Sequence, residues 1–153
     1  MLQINVELLK KLREETGAPI MRVKQVLEEQ KGDNKKALEI LRKEGFEKAA
    51  KKTDRVTGQG KVFSYLHHSG KIGSMVEIMC ETDFVARNEL FEELGKNLAM
   101  QIASLDAKDL KELKDQDFIK DSSKKVEDLV KEVIAKTGEN VQIGKFVRFE
   151  LGK

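Results

Sequence analysis

Cys80-Glu81-Thr82-Asp83-Phe84-Val85-Ala86-Arg87-Asn88-Glu89 joins two kinds of hydrophobic pattern. Before it, Ile72 to Cys80 reads as a strand; with Val62 to His67 across the turn residues Ser69-Gly70-Lys71 it predicts an antiparallel hairpin. After it, Phe91, Leu94, Leu98 and Ile102 recur at spacings of three and four, the stripe of a helix over 84–104. The corner between them carries an acid and an aromatic, Asp83 and Phe84. Such a pair suits insertion into a partner, the ring filling an apolar pocket and the carboxylate perturbing a nearby charge. Two structural roles compete with that reading: Asp83 as the N-cap of the helix, and Phe84 as a staple holding it to the core.

Downstream, Lys108–Lys120 is polar and fits no single period. Ser122 to Lys136 reads as an amphipathic helix with Val126, Leu129, Val130, Val133 and Ile134 on one face, ended by Gly138. Val141, Ile143, Val147, Phe149 and Leu151 then alternate along one face of a final strand. Residues 61–153 are therefore expected to form an α+β core domain, an antiparallel sheet packed with helices. Upstream, 54–60 reads as a linker punctuated by Gly58 and Gly60. Residues 1–53 read as a module of three short helices. Asn5 caps the first, Gly17 ends it, and Pro19 opens the second. Gly32 stops the second and Asp33 caps the third. The pattern resembles a ubiquitin-associated (UBA) three-helix module.

Composition bounds the function. Of 153 residues, 39% are hydrophobic and 37% charged, and the apolar residues are periodic, which argues against disorder. No apolar run approaches the ~20 residues that span a bilayer, and Met1 to Val6 lacks the basic and long apolar regions of a signal peptide. A single cysteine fits a reducing cytosol, so a cytoplasmic location is expected. Residues 1–58 carry 14 Lys and Arg against 10 Asp and Glu, the remainder 15 against 17. With no aromatics interleaved to stack bases, the basic excess at Lys48, Lys51, Lys52 and Arg55 reads as a solvated helix end; no direct nucleic-acid partner is expected.

The chain offers little to an enzyme. Gly58-Gln59-Gly60-Lys61-Val62 lacks the first glycine and the terminal Ser/Thr of a phosphate loop. His67 and His68 are adjacent on an expected strand, where side chains point to opposite faces, so they are not expected to chelate one metal. Cys80 follows apolar residues and reads as a small core hydrophobe. Neither metal nor cofactor is expected.

Three blocks of the chain resemble the bacterial translation elongation factor Ts family. The first is Leu8 to Lys52, with Leu12-Arg13, Thr16-Gly17-Ala18, Gly32-Asp33 and Lys48-Ala49-Ala50-Lys51-Lys52. The second is Tyr65 to Ala103, with Ile72-Gly73 and Thr82-Asp83-Phe84-Val85-Ala86-Arg87. The third runs from Gly138-Glu139-Asn140-Val141 through Phe149-Glu150-Leu151. The resemblance implies a nucleotide-exchange factor for the GTPase elongation factor Tu, with Thr82, Asp83, Phe84 and Val85 entering the partner near its Mg²⁺ site. It implies docking of the N-terminal module through Leu12, Arg13, Thr16, Gly17, Ala18, Ile20 and Met21, of which Leu12 also reads as ordinary core. Pro19-Ile20 stands where the family often has Gly-Met. His67 or His68 matches a hairpin histidine implicated in contact with the partner, and Arg87 and Asn88 read as shaping the corner. Residues 105–120 are short where many members carry a longer helical insertion, and one core copy is present where longer members carry two; a homodimer is implied. A UBA-like protein-binding adaptor without exchange activity is the alternative, and it leaves Thr82–Asn88 unexplained. An RNA-binding accessory protein and an enzyme are the remaining readings.

Overall fold

A computed structural model describes residues 3–153. Three helices open the chain: α1 (Val6–Thr16), α2 (Ile20–Glu29) and α3 (Asn34–Ala50). Each boundary follows from a local signal. The Asn5 carboxamide accepts the Glu7 N–H, and Asp33 accepts the Lys36 N–H. Gly17 ends α1 at φ 71°, a left-handed conformation that glycine adopts without cost. Leu12, Val23, Val26, Leu27, Ala37 and Leu41 close into one apolar cluster between these helices.

The larger unit begins with β1 (Gln59–Leu66) and β2 (Ile72–Cys80), an antiparallel pair. Then come α4 (Asp83–Ala86), α5 (Glu89–Ser104), α6 (Leu110–Asp115), the short pair β3 (Asp117–Phe118) and β4 (Asp121–Lys125), α7 (Val126–Thr137) and β5 (Val141–Glu150). The main sheet has the order β1-β2-β5, antiparallel throughout. Its inner face, with Val76, Ile78, Cys80, Val141 and Ile143, packs on Phe91, Leu94, Leu98 and Ile102 of α5 and on α7. The architecture is α+β, as read from sequence.

Four elements differ from expectation, the first being β1, which starts at Gln59 inside the expected 54–60 linker and ends at Leu66 rather than His67. The helix expected over 84–104 is two helices, because Asn88 leaves helical geometry (ψ 143°) and caps α5 by accepting the Leu90 N–H. The amphipathic helix starts at Val126 rather than near Ser122, since Asp121–Lys125 pairs as β4. The final strand does not keep one apolar face. Val76 pairs with Phe146 but Ile78 with Ile143, so Glu77 faces two residues, Gly144 and Lys145, in a bulge. The extra residue inverts the alternation. Val141 and Ile143 are buried, whereas Val147, Phe149 and Leu151 are exposed.

The helical module lies against the larger unit along α3 and α7. Arg42 of α3 donates to Glu132 of α7 at 2.9 Å, and Lys124 pairs with the same carboxylate at 3.0 Å. Ala49 of α3 is buried in the larger core. A Cβ added at Gly17 would stand 2.7 Å from the Lys136 Cα, so only glycine allows the end of α1 to approach α7 so closely. The segment joining module and sheet is tied down as well: the Asn140 amide donates to the Thr53 and Arg55 carbonyls at 3.4 and 2.8 Å.

Candidate functional site

The corner after β2 is held from both sides. Thr82, extended at φ −126° and ψ 157°, is the N-cap of α4; its hydroxyl oxygen accepts the Val85 N–H. Val85 and Ala86 are buried and fasten α4 to the core. With those two side chains turned inward, the one before them points outward, and Phe84 is 83% exposed. Asp83 and Arg87, one turn apart and both solvent-facing, pair at 2.8 Å. The Arg87 guanidinium also lies 5.9 Å from the Phe84 ring centre. The two structural roles weighed for this pair are not those observed: Thr82 rather than Asp83 caps the helix, and Phe84 staples nothing.

Beneath the corner, a carboxylate from a distant segment engages Thr82. Glu139 accepts the Glu81 and Thr82 N–H groups at 3.2 and 2.9 Å through Oε1. Its Oε2 accepts the Thr82 hydroxyl at 2.6 Å. Glu81 reciprocates by accepting the Asn140 N–H at 3.2 Å. Sequence reading passed over Glu139 as a site residue. Its only signal was membership of the Gly138-Glu139-Asn140-Val141 block, because its partners lie 57 and 58 residues upstream. Cys80 is fully buried, its thiol donating to the Thr82 carbonyl at 3.2 Å. Burial, followed by the nearby Glu139 charge, pushes its thiol pKa up.

In the module, Leu12 and Thr16 are buried, and the Thr16 hydroxyl donates to the Leu12 carbonyl at 2.6 Å. Arg13, Gly17 and Met21 are exposed, with Ala18 and Ile20 half-buried between them. This turn and the Asp83-Phe84 corner share one end of the molecule: Gly17 abuts Lys136, and Glu139, three residues on, holds Thr82.

His67 and His68 are not with them. The hairpin turn lies at the far end of β2 from the corner, about 25–30 Å away at ~3.3 Å per residue. The two rings also correct the sequence reading. β1 ends at Leu66, so His67 starts a turn closed by the Gly70 N–H on its carbonyl at 2.8 Å. Both rings then fall together, 4.0 Å between centres, instead of on opposite faces. His67 Nδ1 is engaged by Ser69 at 2.7 Å. Among the described residues no three His, Cys, Asp or Glu side chains gather as a metal site would require, and no helix is long and apolar enough to cross a membrane.

The corner therefore presents an aromatic and a carboxylate to solvent on a turn braced from both sides. A family profile described as Elongation factor TS matches residues 81–153. The Elongation factor Ts of Thermosipho melanesiensis is 40% identical over 195 aligned positions, covering 98% of this chain and all of that protein. That of Thermotoga maritima is 40% identical over 195 positions, covering 99% and 98%. That of Oleidesulfovibrio alaskensis is 42% identical over 197 positions, covering 99% and 100%. The chain belongs to the elongation factor Ts family, a family of translation elongation factors. Against the Thermosipho protein at least 42 aligned positions, 195 less 153, face no residue here, as a shortened member requires.

Proposed function

We propose that this chain is a guanine-nucleotide exchange factor for elongation factor Tu and acts in the cytoplasm. Exchange involves no covalent step, so the protein is not an enzyme in the catalytic sense. It binds the GTPase more tightly without nucleotide, and by linkage weakens the nucleotide by the same factor. The targets are the contacts that hold GDP, backbone amides around the phosphates and a Mg²⁺ ion. Each charge-assisted bond lost is worth roughly 1.5–3 kcal/mol, about ten- to a hundredfold in release.

The observation that carries the reading is the exposure of Phe84, 83%, on a helix whose next two residues are buried. A phenylalanine so placed gains about 1.5–3 kcal/mol on entering an apolar slot, and it carries Asp83 in with it. Val85 and Thr82 hold the pair in place. The module, which we regard as UBA-like, docks beside it through Arg13, Gly17, Ala18, Ile20 and Met21, supported from within by Leu12 and Thr16. His67 and His68, at the opposite end of the sheet, would reach a second region of the partner.

The chain also pairs with a second copy of itself. The outer face of the main sheet is apolar and uncovered: Val62, Leu66, Met75, Val147 and Phe149 are 59, 71, 50, 41 and 71% exposed. Their register places all five on one side. A self-complementary apolar sheet face of this kind suits a two-fold dimer.

The test is release of a fluorescent GDP analogue from purified elongation factor Tu. The wild-type chain accelerates it strongly; Phe84→Ala loses about ten- to a hundredfold of the acceleration, and Asp83→Ala also loses part. Acceleration unchanged by both substitutions would discard the named residues. No acceleration by folded protein would sink the exchange reading and return the adaptor.

A further inference from the structure

We infer that Glu139 is a positioning residue that sets the presentation of Asp83 and Phe84; the inference rests on the exchange reading above. α4 is a single turn of four residues, too short to hold itself by its own hydrogen bonds. Its start is fixed by a relay. The Thr82 hydroxyl donates a hydrogen bond to Glu139 Oε2 at 2.6 Å, which turns its oxygen lone pair to the Val85 N–H at 3.4 Å. Two further donors, the Glu81 and Thr82 N–H groups, end on Glu139 Oε1. Removing the carboxylate frees the hydroxyl to rotate and leaves both N–H groups to water. The turn carrying Asp83 and Phe84 then keeps only the buried contacts of Val85 and Ala86.

Glu139 is itself anchored. It follows Gly138, whose left-handed backbone (φ 77°) closes α7 with its N–H on the Ile134 carbonyl at 2.8 Å. The Glu139 N–H donates to the Thr137 hydroxyl at 3.4 Å. Glu81 returns the contact through the Asn140 N–H, so each segment's carboxylate binds the other's backbone. Arg55 stands 3.7 Å from Glu81 and ties in the chain leading from the module. The corner is thereby referenced to the end of α7, the same helix end that Gly17 of the module touches. Glu139 need touch neither nucleotide nor partner to act.

A double-mutant cycle tests this, with release of the fluorescent GDP analogue from elongation factor Tu as one readout. Glu139→Ala loses about tenfold or more of the wild-type acceleration. In a Phe84→Ala background it costs less than it does in the wild type, because only Asp83 remains to be positioned. Losses that multiply would overturn the inference. The second readout, in the free protein, is amide hydrogen exchange. Glu139→Ala speeds exchange at Thr82 and Val85 while leaving Ile78 and Leu98 unchanged; unaltered exchange at the corner would equally overturn it. If the alanine variant does not fold, Glu139→Gln, which keeps one acceptor oxygen and loses the charge, takes its place in both. A wild type that fails to accelerate release defeats the exchange reading and this role with it. Acceleration with a Phe84 effect but no Glu139 effect defeats the positioning role alone.

Discussion

Phe84 and Phe91 are one heptad apart in sequence and have opposite fates: Phe84 is 83% exposed and Phe91 wholly buried. A continuous helix would put them on one face. Asn88 leaves helical geometry between them and resets the phase, so the periodicity that correctly places Phe91 says nothing about Phe84. Cys80, at the start of the same corner, behaves as the small core residue its neighbours imply. Its thiol pKa is raised in the folded state, so the protonated thiol stabilises the fold. That contribution is complete below the unfolded thiol value of about 8.5 and is lost as pH rises through the folded one. Urea denaturation from pH 7 to 10 is expected to show stability falling at the alkaline end, with Cys80→Ala removing that slope. At pH 8 a thiol reagent should modify Cys80 only as fast as the core opens; prompt reaction with native protein would contradict its burial.

Among the elements, α5 shows best how packing is decided. A Cβ at Gly95 would lie 2.2 Å from a Phe63 ring carbon, so the ring of β1 sits directly on the helix backbone. The same ring tilts against Phe91 with centres 5.9 Å apart. Helix propensity alone favours alanine over glycine by about 1 kcal/mol, but overpacking costs about 1–3 kcal/mol. Gly95→Ala is therefore expected to lower stability, measured as a reduced urea midpoint with unchanged m-value; a raised midpoint would show that Phe63 moves aside freely. The bulge at Glu77 has the same tertiary character. The Glu77 carboxylate lies across Gly144, where a Cβ would meet it at 2.2 Å. Alternating Val141, Ile143, Val147 and Phe149 cannot announce that the strand will slip by one residue between its halves.

For the whole molecule, two apolar clusters are joined by α3, whose Ala49 reaches the larger one. The outer sheet face belongs to this scale, since its five exposed apolar side chains come from β1, β2 and β5. If it pairs two copies, sedimentation equilibrium will give a dimer for the wild type. Phe149→Glu with Leu66→Glu, which places four like charges in the joint, will give a monomer that is still folded. A wild type that stays monomeric at tens of micromolar would end the proposal.

The sequence by itself determined the order and type of most elements: the capped helices of the module, the β1-β2 hairpin, α5, α7 and the closing strand. Those rest on local physics, caps, turn glycines and apolar period, which act within a few residues. The acid–aromatic corner was legible as well, and its residue order pointed to the family. Only the tertiary structure decided that Phe84 faces solvent, that Thr82 is the cap, and that Glu139 holds it. It alone paired the histidine rings and turned half of β5 outward. The Thr82 cap and the histidine pair are settled within a few residues by where the strands end. The Glu139 contact and the outward half of β5 depend instead on segments far apart in the chain, or on a one-residue change of phase that packing resolves. No local pattern carries those last two, because the free energy that settles them arises only when the segments meet.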